Sequence, residues 1–371
     1  MFNTLIQFLK DILKKFKRTD FRNRITDFEA TLTDWWADKE TGVAYEIRNQ
    51  SGKWGEWQPR YEPQKFKFDT NGCVQFSFLN VVETQCNFLK AKHAFTKEQI
   101  DWFENNGYLV NGDFEFSDRF MAIKAGCNVN GSVFSSPETT VRKVGLLPES
   151  DFTYSMADSL KFESQKDMCN DYYNPKLITP EMETKAKKVL DILDISYEWV
   201  TNSKTDIEAM RKALKQSPLH VGVPVCLETW NLGYVMPCGQ TRPAHGVMIY
   251  EIDDVGSAYF FDQYQPYLKN FATTYPIPIV MKVVVTVKNA PKPVLSNNYI
   301  FANNLKYGMI NNEVKELQKT LKYLGLFNLE PTGYFGPVTK QSVMLFQTLH
   351  QLPTTGYVGE LTRNELNNLR K

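Results

Sequence analysis

The chain has 371 residues, 42% of them apolar and 13% aromatic, which is enough for two or more domains with substantial cores. Its formal net charge of +1 excludes an overall polyanion-binding signature and gives no reason to expect a nucleic-acid partner. No apolar run is long enough to span a membrane, and Lys10 and Asp11 interrupt the only stretch that resembles a signal peptide.

The six cysteines include no CxxC pair and no Cys/His cluster, so the sequence favours neither a disulfide framework nor a zinc site. Together with the missing signal peptide, this composition is typical of a protein that stays in a reducing compartment. The alternative is a protein that leaves the cell without the general secretion route, for example within a virion or after release at the bacterial wall.

Residues 1–39 are predicted to form an amphipathic helix with a short lead-in. Apolar residues recur at helical spacing from Phe2 to Phe16, and basic residues crowd the second half of that stretch. The helix either packs on its own domain, with its cations at the favourable end of the dipole, or docks to a partner or a membrane surface. The sequence leaves both interpretations open.

The stretch NGCVQFSFLNVVE, residues 71–83, predicts a buried helix with Cys73 in its first turn. After Cys73 the run contains neither Gly nor Pro and is apolar on most sides. The unpaired N–H groups at a helix N-terminus favour a thiolate over a thiol. Cys73 is therefore either an activated nucleophile or a buried structural cysteine.

Further helices are predicted on the C-terminal side of this stretch from their capping signals. Thr96, Ser117 and the pair Thr179–Pro180 are typical starts, and Gly126 and Gly145 are typical stops. Residues 40–70 are expected to be irregular with short strands. The predicted helices cover residues 95–108, 116–126, 136–145, 179–193 and 203–217.

The composition changes after residue 218 and predicts a sheet. Segments 219–228, 244–253, 258–264 and 279–287 are rich in Val, Ile, Tyr and Phe, which is typical of antiparallel strands. A helical first half followed by a strand-rich second half predicts an α+β fold for residues 40–287. Residues 288–303 are predicted to be a linker because they contain prolines and polar residues without periodicity.

Residues 304–371 are predicted to form a small three-helix bundle. The segments TGYFGPVTKQSVMLFQ and TGYVGELTRNELNNL share the pattern TGY-x-G-x-x-T followed by a helix, at an offset of 23 residues (356 − 333). An amphipathic helix is predicted before them at 313–327.

The chain has four histidines, and His245 is the one best placed to serve a cysteine. His245 opens an apolar strand, and Asp262 ends the next strand after the turn DDVGS. A hairpin of these two strands would bring His245 beside Asp262, so Cys73, His245 and Asp262 are predicted to act as nucleophile, base and orienting group. The alternative is a histidine that only caps a strand. Because an amide oxygen also accepts a hydrogen bond, Asp262→Asn is expected to be milder than His245→Ala.

Residues 40–287 resemble the papain family of cysteine peptidases, in particular its divergent bacterial and viral members. The segments NGCVQFS, VGLLPESDFTY, AHGVMIYEI and FFDQY carry this resemblance in the family's order. It implies a papain-like fold, a nucleophile on the first turn of a long helix, and an acyl-enzyme formed without metal or organic cofactor.

Two positions depart from the papain pattern. Asp262 stands where the family has Asn, and Lys67 stands six residues before Cys73, where the family has its oxyanion Gln. Gln64 and Asn71 are therefore the candidate oxyanion donors, beside the backbone N–H of Cys73.

Residues 304–371 resemble the peptidoglycan-binding three-helix domain of cell-wall hydrolases. The resemblance rests on EVKELQKTLKYLG and the two TGY segments, and it implies binding of wall glycan or stem peptide near the glycine turns. Tyr334, Phe335 and Tyr357 are candidate platform residues; the alternative is that these rings pack the module's core.

Both resemblances together predict a thiol hydrolase that cleaves peptide or amide bonds and is targeted to bacterial peptidoglycan. A virion-associated or general protein peptidase with a protein substrate is one alternative. A non-catalytic structural or adhesive particle protein that retains the fold is another.

Overall fold

The computed structural model describes residues 49, 51–65, 68–153, 164–202, 204–288, 299–324, 326–327, 329–350 and 352–369. The amphipathic helix and lead-in predicted for residues 1–39 and most of the predicted linker lie outside these residues. Within the described part of the chain, no helix is long and apolar enough to cross a membrane.

The described residues up to 288 form the larger module, and its first half is helical, as predicted from its caps. The side chains of Thr96, Ser117 and Thr179 each accept a hydrogen bond from a backbone N–H in the first turn of the helix that follows. The helices are α1 (Cys73–Ala91), α2 (Lys97–Asn105), α3 (Asp118–Lys124), α4 (Ser136–Val144), α5 (Gln165–Tyr172), α6 (Pro180–Lys188), α7 (Ile207–Leu214) and α8 (Leu227–Trp230).

The second half forms a seven-stranded sheet with the order β3-β9-β4-β6-β7-β8-β5. A separate two-stranded hairpin, β1 with β2, lies between α2 and α3. The strands are β1 (Leu109–Val110), β2 (Asp113–Phe114), β3 (Leu193–Thr201), β4 (Leu219–Val223), β5 (Tyr234–Val235), β6 (His245–Ile252), β7 (Ala258–Phe261), β8 (Leu268–Phe271) and β9 (Ile279–Val287).

The α+β prediction is confirmed, and the predicted strands correspond to β4, β6, β7 and β9. The strand pairing and one helix end are among the details that were wrong. The sheet is not purely antiparallel, because β5 pairs parallel with β8. The helix predicted to reach residue 193 ends at Lys188, and β3 begins at Leu193, where its pairing with β9 outweighs local helix preference.

Helix α1 is the centre of the larger module, because all its residues from Cys73 to Leu89 are buried. It packs against β4, β6 and β9 of the sheet. The Gln85 amide fixes one end of this contact: it donates to Val283 O at 2.7 Å and accepts from Val285 N at 3.0 Å. A helix this enclosed must also satisfy its buried polar side chains within the fold, as the hydrogen bonds of Thr84 and Gln85 do.

Gly246 permits the close approach of β6 to the N-terminal turn of α1. A Cβ at this position would lie 2.8 Å from Ser77 Oγ and 3.1 Å from Cys73 O, closer than such atoms normally come. Only glycine therefore allows the strand that begins at His245 to lie directly against the turn that holds Cys73.

The C-terminal module has its own apolar core, contributed by residues 301–369. It contains α9 (Asn312–Tyr323), α10 (Pro337–Leu349) and α11 (Glu360–Asn368), which confirms the predicted three helices.

The two TGY turns of this module are each held by a glutamine of the preceding helix. Gln318 accepts from Gly333 N at 2.8 Å, and its amide donates to Tyr334 O at 2.8 Å and Thr339 Oγ1 at 2.9 Å. The corresponding contacts of the second turn are made by Gln347, Gly356, Tyr357 and Thr362. The internal repeat of the sequence is thus a repeat of one hydrogen-bonded unit.

Candidate active site

Cys73 is the first residue of α1 and follows a constrained loop. Asn71 has a positive φ of 57°, and Gly72 is the N-cap. The N–H groups at this helix end carry partial positive charge, which favours the thiolate of Cys73. Cys73 is fully buried and not disulfide-bonded. The helix placement required of an activated cysteine is therefore present.

His245 and Asp262 meet across the β6–β7 hairpin, as the sequence predicted. The Nε2 atom of His245 lies 2.8 Å from Asp262 Oδ1, and both side chains are fully buried. With Nε2 engaged, the other ring nitrogen, Nδ1, makes no hydrogen bond within the described residues. Nδ1 is thus the nitrogen left to exchange a proton with another group.

The backbone joins this pair to the cysteine. The N–H of Gly246, the residue after His245, donates to Cys73 Sγ at 3.4 Å. Cys73, His245 and Asp262, which are far apart in the sequence, therefore lie in one site. The same N–H donor would stabilise negative charge on the sulfur, because a charge-assisted hydrogen bond is stronger than a neutral one.

The Asp262 carboxylate accepts four hydrogen bonds. Besides His245, the Gln263 N–H donates to Oδ1 at 2.8 Å, and Trp230 Nε1 donates to Oδ2 at 2.8 Å. The fourth donor is the buried ammonium group of Lys269, also on Oδ2. Burial acts to raise the pKa of Asp262, but His245 and Lys269 outweigh it and hold that pKa below its usual value. Asp262 is therefore a carboxylate in the folded protein.

Trp230, the last residue of α8, covers one side of the Asp262 carboxylate. Its ring lies edge-on to His245 with the ring centres 5.4 Å apart. A disulfide between Cys226, at the N-cap of α8, and Cys238 closes the segment that carries Trp230. The sequence did not indicate this disulfide, because the spacing of these cysteines matches no framework pattern.

Asp69 connects the loop before Cys73 to the loop after Asp262. Its Oδ1 accepts from Gln64 Nε2 at 3.0 Å and from the Asn71 N–H at 3.1 Å, while Tyr264 donates its hydroxyl to Oδ2 at 2.7 Å. Asp69 is buried, so this contact fixes both loops. The sequence gave no local signal for either Asp69 or Tyr264.

The two candidate oxyanion donors have different surroundings. Gln64 is buried in the loop that Asp69 holds. Its backbone N–H donates to the backbone oxygen of Gln263, next to Asp262, at 3.2 Å. The Asn71 side chain instead donates to Val129 O at 2.6 Å. Gln64 therefore stays close to the triad loops, whereas one N–H of Asn71 is engaged by a neighbouring loop.

The site as described is closed, because Cys73 and His245 have no exposed surface. A substrate must displace the groups that cover the thiol before it can reach Sγ. Within the described residues, no group of three or more His, Cys, Asp or Glu is arranged to hold a metal ion.

In the C-terminal module the three candidate platform rings separate into two classes. Tyr334 and Tyr357 are 41% and 38% exposed, and their rings cover Gly336 and Gly359 at the starts of α10 and α11. Phe335 is fully buried in the module's core, so it cannot present its ring to a ligand and the prediction for it was wrong. The packing alternative holds for Phe335.

Tyr307 is a third exposed ring that the sequence did not single out. It is 55% exposed, and a hydrogen bond between its hydroxyl and that of Tyr334 raises the pKa of Tyr334. The exposed aromatic surface of the module therefore includes Tyr307 and Tyr334 together.

Residues 311–366 match the family model described as putative peptidoglycan binding domain. This match confirms the predicted C-terminal domain type. No curated protein matches the chain.

Similar solved structures include papain-like cysteine proteases, the family that the sequence resembles. They include the Amb a 11 cysteine protease of ragweed pollen in its proform, at 13% identity and a TM-score of 0.40, covering 68% of this chain and 69% of that one. Digestive procathepsin L 3 of Tenebrio molitor matches at 12% identity and a TM-score of 0.43, covering 72% and 79%. Bromelain of Ananas comosus with the E64 inhibitor matches at 13% identity and a TM-score of 0.40, covering 64% and 98%.

Proposed function

We propose that the larger module is a cysteine hydrolase that cleaves peptide or amide bonds, and that the C-terminal module holds it on bacterial peptidoglycan. The observation that carries the proposal is the convergence of three residues. His245 Nε2 lies 2.8 Å from Asp262, and the neighbouring Gly246 N–H contacts Cys73 Sγ at 3.4 Å. A cysteine at a helix start beside a carboxylate-oriented histidine is the arrangement that nucleophilic catalysis requires.

In the proposed reaction, Cys73 transfers its proton to Nδ1 of His245, and the thiolate attacks the scissile carbonyl carbon. A C–S bond forms, and the carbonyl electron pair moves to oxygen. The C–N bond then breaks as His245 gives its proton to the departing amine, which leaves an acyl-enzyme. Water attacks the thioester, His245 accepts its proton, and the carboxylic acid and the Cys73 thiol are released.

The oxyanion that forms on the carbonyl needs hydrogen-bond donors. We assign one to the backbone N–H of Cys73 and the other to the amide of Gln64, because Asp69 binds both this amide and the loop directly before Cys73. Asn71 is the weaker candidate, since its side chain already donates to Val129 O.

Targeting is assigned to the module that matches the peptidoglycan-binding model. Tyr334 and Tyr357 occupy equivalent, partly exposed positions on its two turns, where an aromatic ring can pack on a sugar or a stem peptide. A repeated contact of this kind suits a polymer with repeating units.

One observation favours a different function. The complete burial of Cys73 and His245 is also what a non-catalytic structural protein that retains the fold would show. Turnover separates the two possibilities. Purified full-length protein is incubated with sacculi and, separately, with a denatured protein such as casein, and released amino groups are counted.

The proposal expects amino groups to be released from sacculi by the wild type. Cys73→Ala and His245→Ala should each lower that release by at least about 100-fold. His93→Ala serves as the matched control, since His93 is exposed and far from the triad in the sequence. Release from casein alone would support a general protein peptidase, and no release from either substrate would support the structural function.

A further inference from the structure

Lys269 is a buried cation, and within the described residues it forms its ion pair with Asp262, the carboxylate of the candidate triad. It lies on β8, and its side chain has no exposed surface. The ammonium group donates to Asp262 Oδ2 and, at 2.6 Å, to Tyr264 O. Because lysine is almost never fully buried without a charge partner, its position calls for a specific explanation.

The four hydrogen-bond donors around Asp262 are divided between its two carboxylate oxygens. Oδ1 accepts from His245 and from the Gln263 N–H, whereas Oδ2 accepts from Trp230 and Lys269. A carboxylate that could rotate freely would present either oxygen to His245. The ammonium group and the indole on Oδ2 prevent this rotation and keep Oδ1 on the imidazole.

The same contact sets the charge that His245 faces. A buried carboxylate without a counter-ion would attract an imidazolium strongly, because the interior screens charge weakly. Paired with Lys269, Asp262 becomes part of a neutral group, equal in charge to an uncharged amide. An imidazolium beside a neutral acceptor gives up its proton to a leaving amine more readily than one beside an unpaired carboxylate.

We propose that Lys269 is a positioning residue of the candidate active site, whose ammonium group neutralises Asp262 and fixes the oxygen that holds His245. The proposal rests on the proposed hydrolase function of the same site. The titratable groups around His245 are Cys73 from α1, Asp262 from the end of β7, Tyr264 from the following loop and Lys269 from β8. Asp69 faces the site through the hydroxyl of Tyr264.

The test is the pH dependence of Cys73 alkylation by iodoacetamide, measured in the full chain from about pH 4 to pH 10 with the label located by mass spectrometry. In a thiolate–imidazolium pair the alkylation rate changes at two pH values. At the lower pH the pair forms, and at the upper pH the imidazolium loses its proton. In Lys269→Met the unpaired carboxylate should hold the imidazolium proton longer, so the upper change should move up by about one pH unit.

Lys269→Arg should keep the upper change at its wild-type pH, because it retains the charge. Lys282→Met is the matched control: Lys282 lies in the same sheet on β9 and pairs with the exposed Glu198 at 3.0 Å. If Lys269→Met does not fold, the double variant Asp262→Asn with Lys269→Met replaces it, since it buries no charge and should also keep the wild-type upper change.

An unchanged profile in folded Lys269→Met would overturn the proposal, as would a profile displaced in Lys269→Arg. A displaced profile in the double variant would do the same. These outcomes differ from a failure of the hydrolase function itself. In that case the wild type would show no fast alkylation of Cys73 at acidic pH, and no variant would need to be compared.

Discussion

Asp262 accepts hydrogen bonds from an imidazole, a backbone N–H, an indole and an ammonium group, and it is fully buried. Four donors use all the lone pairs that a carboxylate offers. A side chain of the same shape with fewer acceptors therefore cannot satisfy the same neighbours. This saturation determines what substitutions at the site will do.

The structure changes the expected effect of Asp262→Asn. An asparagine can still accept from His245, but its NH2 group would then face the N–H donors of Trp230 and Lys269. Lys269 would also be left buried without a counter-ion, and breaking a buried ion pair typically costs about 3–5 kcal/mol of unfolding free energy. We therefore expect Asp262→Asn to destabilise the larger module strongly, an effect that the sequence-based prediction of a milder loss of turnover did not include.

Urea unfolding of the full chain, followed by tryptophan fluorescence, measures this loss. Asp254→Asn is the control, because Asp254 is exposed in the β6–β7 turn. A free energy of unfolding for Asp262→Asn within about 1 kcal/mol of the wild type would show that the Lys269 contact contributes little.

Among the structural elements, the junction of α1, α3 and the segment 51–65 holds a cluster of carboxyl groups. Glu83 on α1 accepts from the Phe116 N–H at 2.7 Å, and Arg60 pairs with Glu115 at 3.0 Å. Burial is the main cause that raises the pKa of Glu62 to about 7 and the pKa values of Glu83 and Asp118 well above their usual range. Some of these groups therefore keep a proton near neutral pH.

This cluster predicts that stability falls as pH rises. Between the ordinary pKa of glutamate, near 4.5, and the raised value of about 7 for Glu62, the folded state binds more protons than the unfolded state. The free energy of unfolding should therefore be lower at pH 8 than at pH 5, by on the order of 2–3 kcal/mol. Urea unfolding at the two pH values measures the difference.

Glu62→Gln should reduce this pH dependence, because the amide needs no proton to be neutral. Glu56→Gln, at an exposed position in the same segment, should leave it unchanged. Equal stability of the wild type at both pH values would mean that these carboxyl groups are ionised in the folded protein.

Structural elements with a local sequence signal were the ones that the sequence could predict. Helices with a local cap, such as those after Thr96, Ser117 and Thr179, were predicted because the signal lies within a few residues. The hairpin that unites His245 with Asp262 was predictable for the same reason. Strand β3 was missed because its evidence is a distant partner, β9. Strand β8 follows its partner β7 directly in the chain and was missed because two of its four residues, Lys269 and Asn270, are polar.

The parts of the site that the sequence missed depend on contacts between separate segments. Lys269 and Trp230 are ordinary residues in their own segments and acquire meaning only because both reach Asp262. Asp69 likewise joins two loops nearly 200 residues apart in the chain, through Tyr264. Neither a hydrophobic periodicity nor a local sequence motif predicts contacts of this kind.

In the whole molecule, the apolar core of residues 301–369 is separate from the apolar clusters of the larger module. The predicted boundaries of 40–287 for the peptidase-like domain, 288–303 for the linker and 304–371 for the binding domain remain predictions. If they hold, a tether would keep the hydrolase near its polymer and raise the local substrate concentration without new contacts.

Removing residues 304–371 should therefore lower hydrolysis of sacculi at least about tenfold, while alkylation of Cys73 stays at its wild-type rate. Tyr334→Ala with Tyr357→Ala in the full chain should give a similar loss and should release the protein from sacculi in a pull-down. Val255→Ala, at an exposed apolar position on the larger module, is the control. A truncated protein that clears sacculi as fast as the full chain would contradict the targeting role.

The most direct test of the central claim, that Cys73 is an activated nucleophile paired with His245, is competition among the thiols of the folded protein for a small amount of iodoacetamide. Burial raises the pKa of Cys169 to about 12 and that of Cys86 well above its usual range, so both should react slowly. At mildly acidic pH the label should appear first on Cys73 in the wild type, and its rate there should fall sharply in His245→Ala. Earlier labelling of Cys86 or Cys169, or an unchanged Cys73 rate in His245→Ala, would contradict the account.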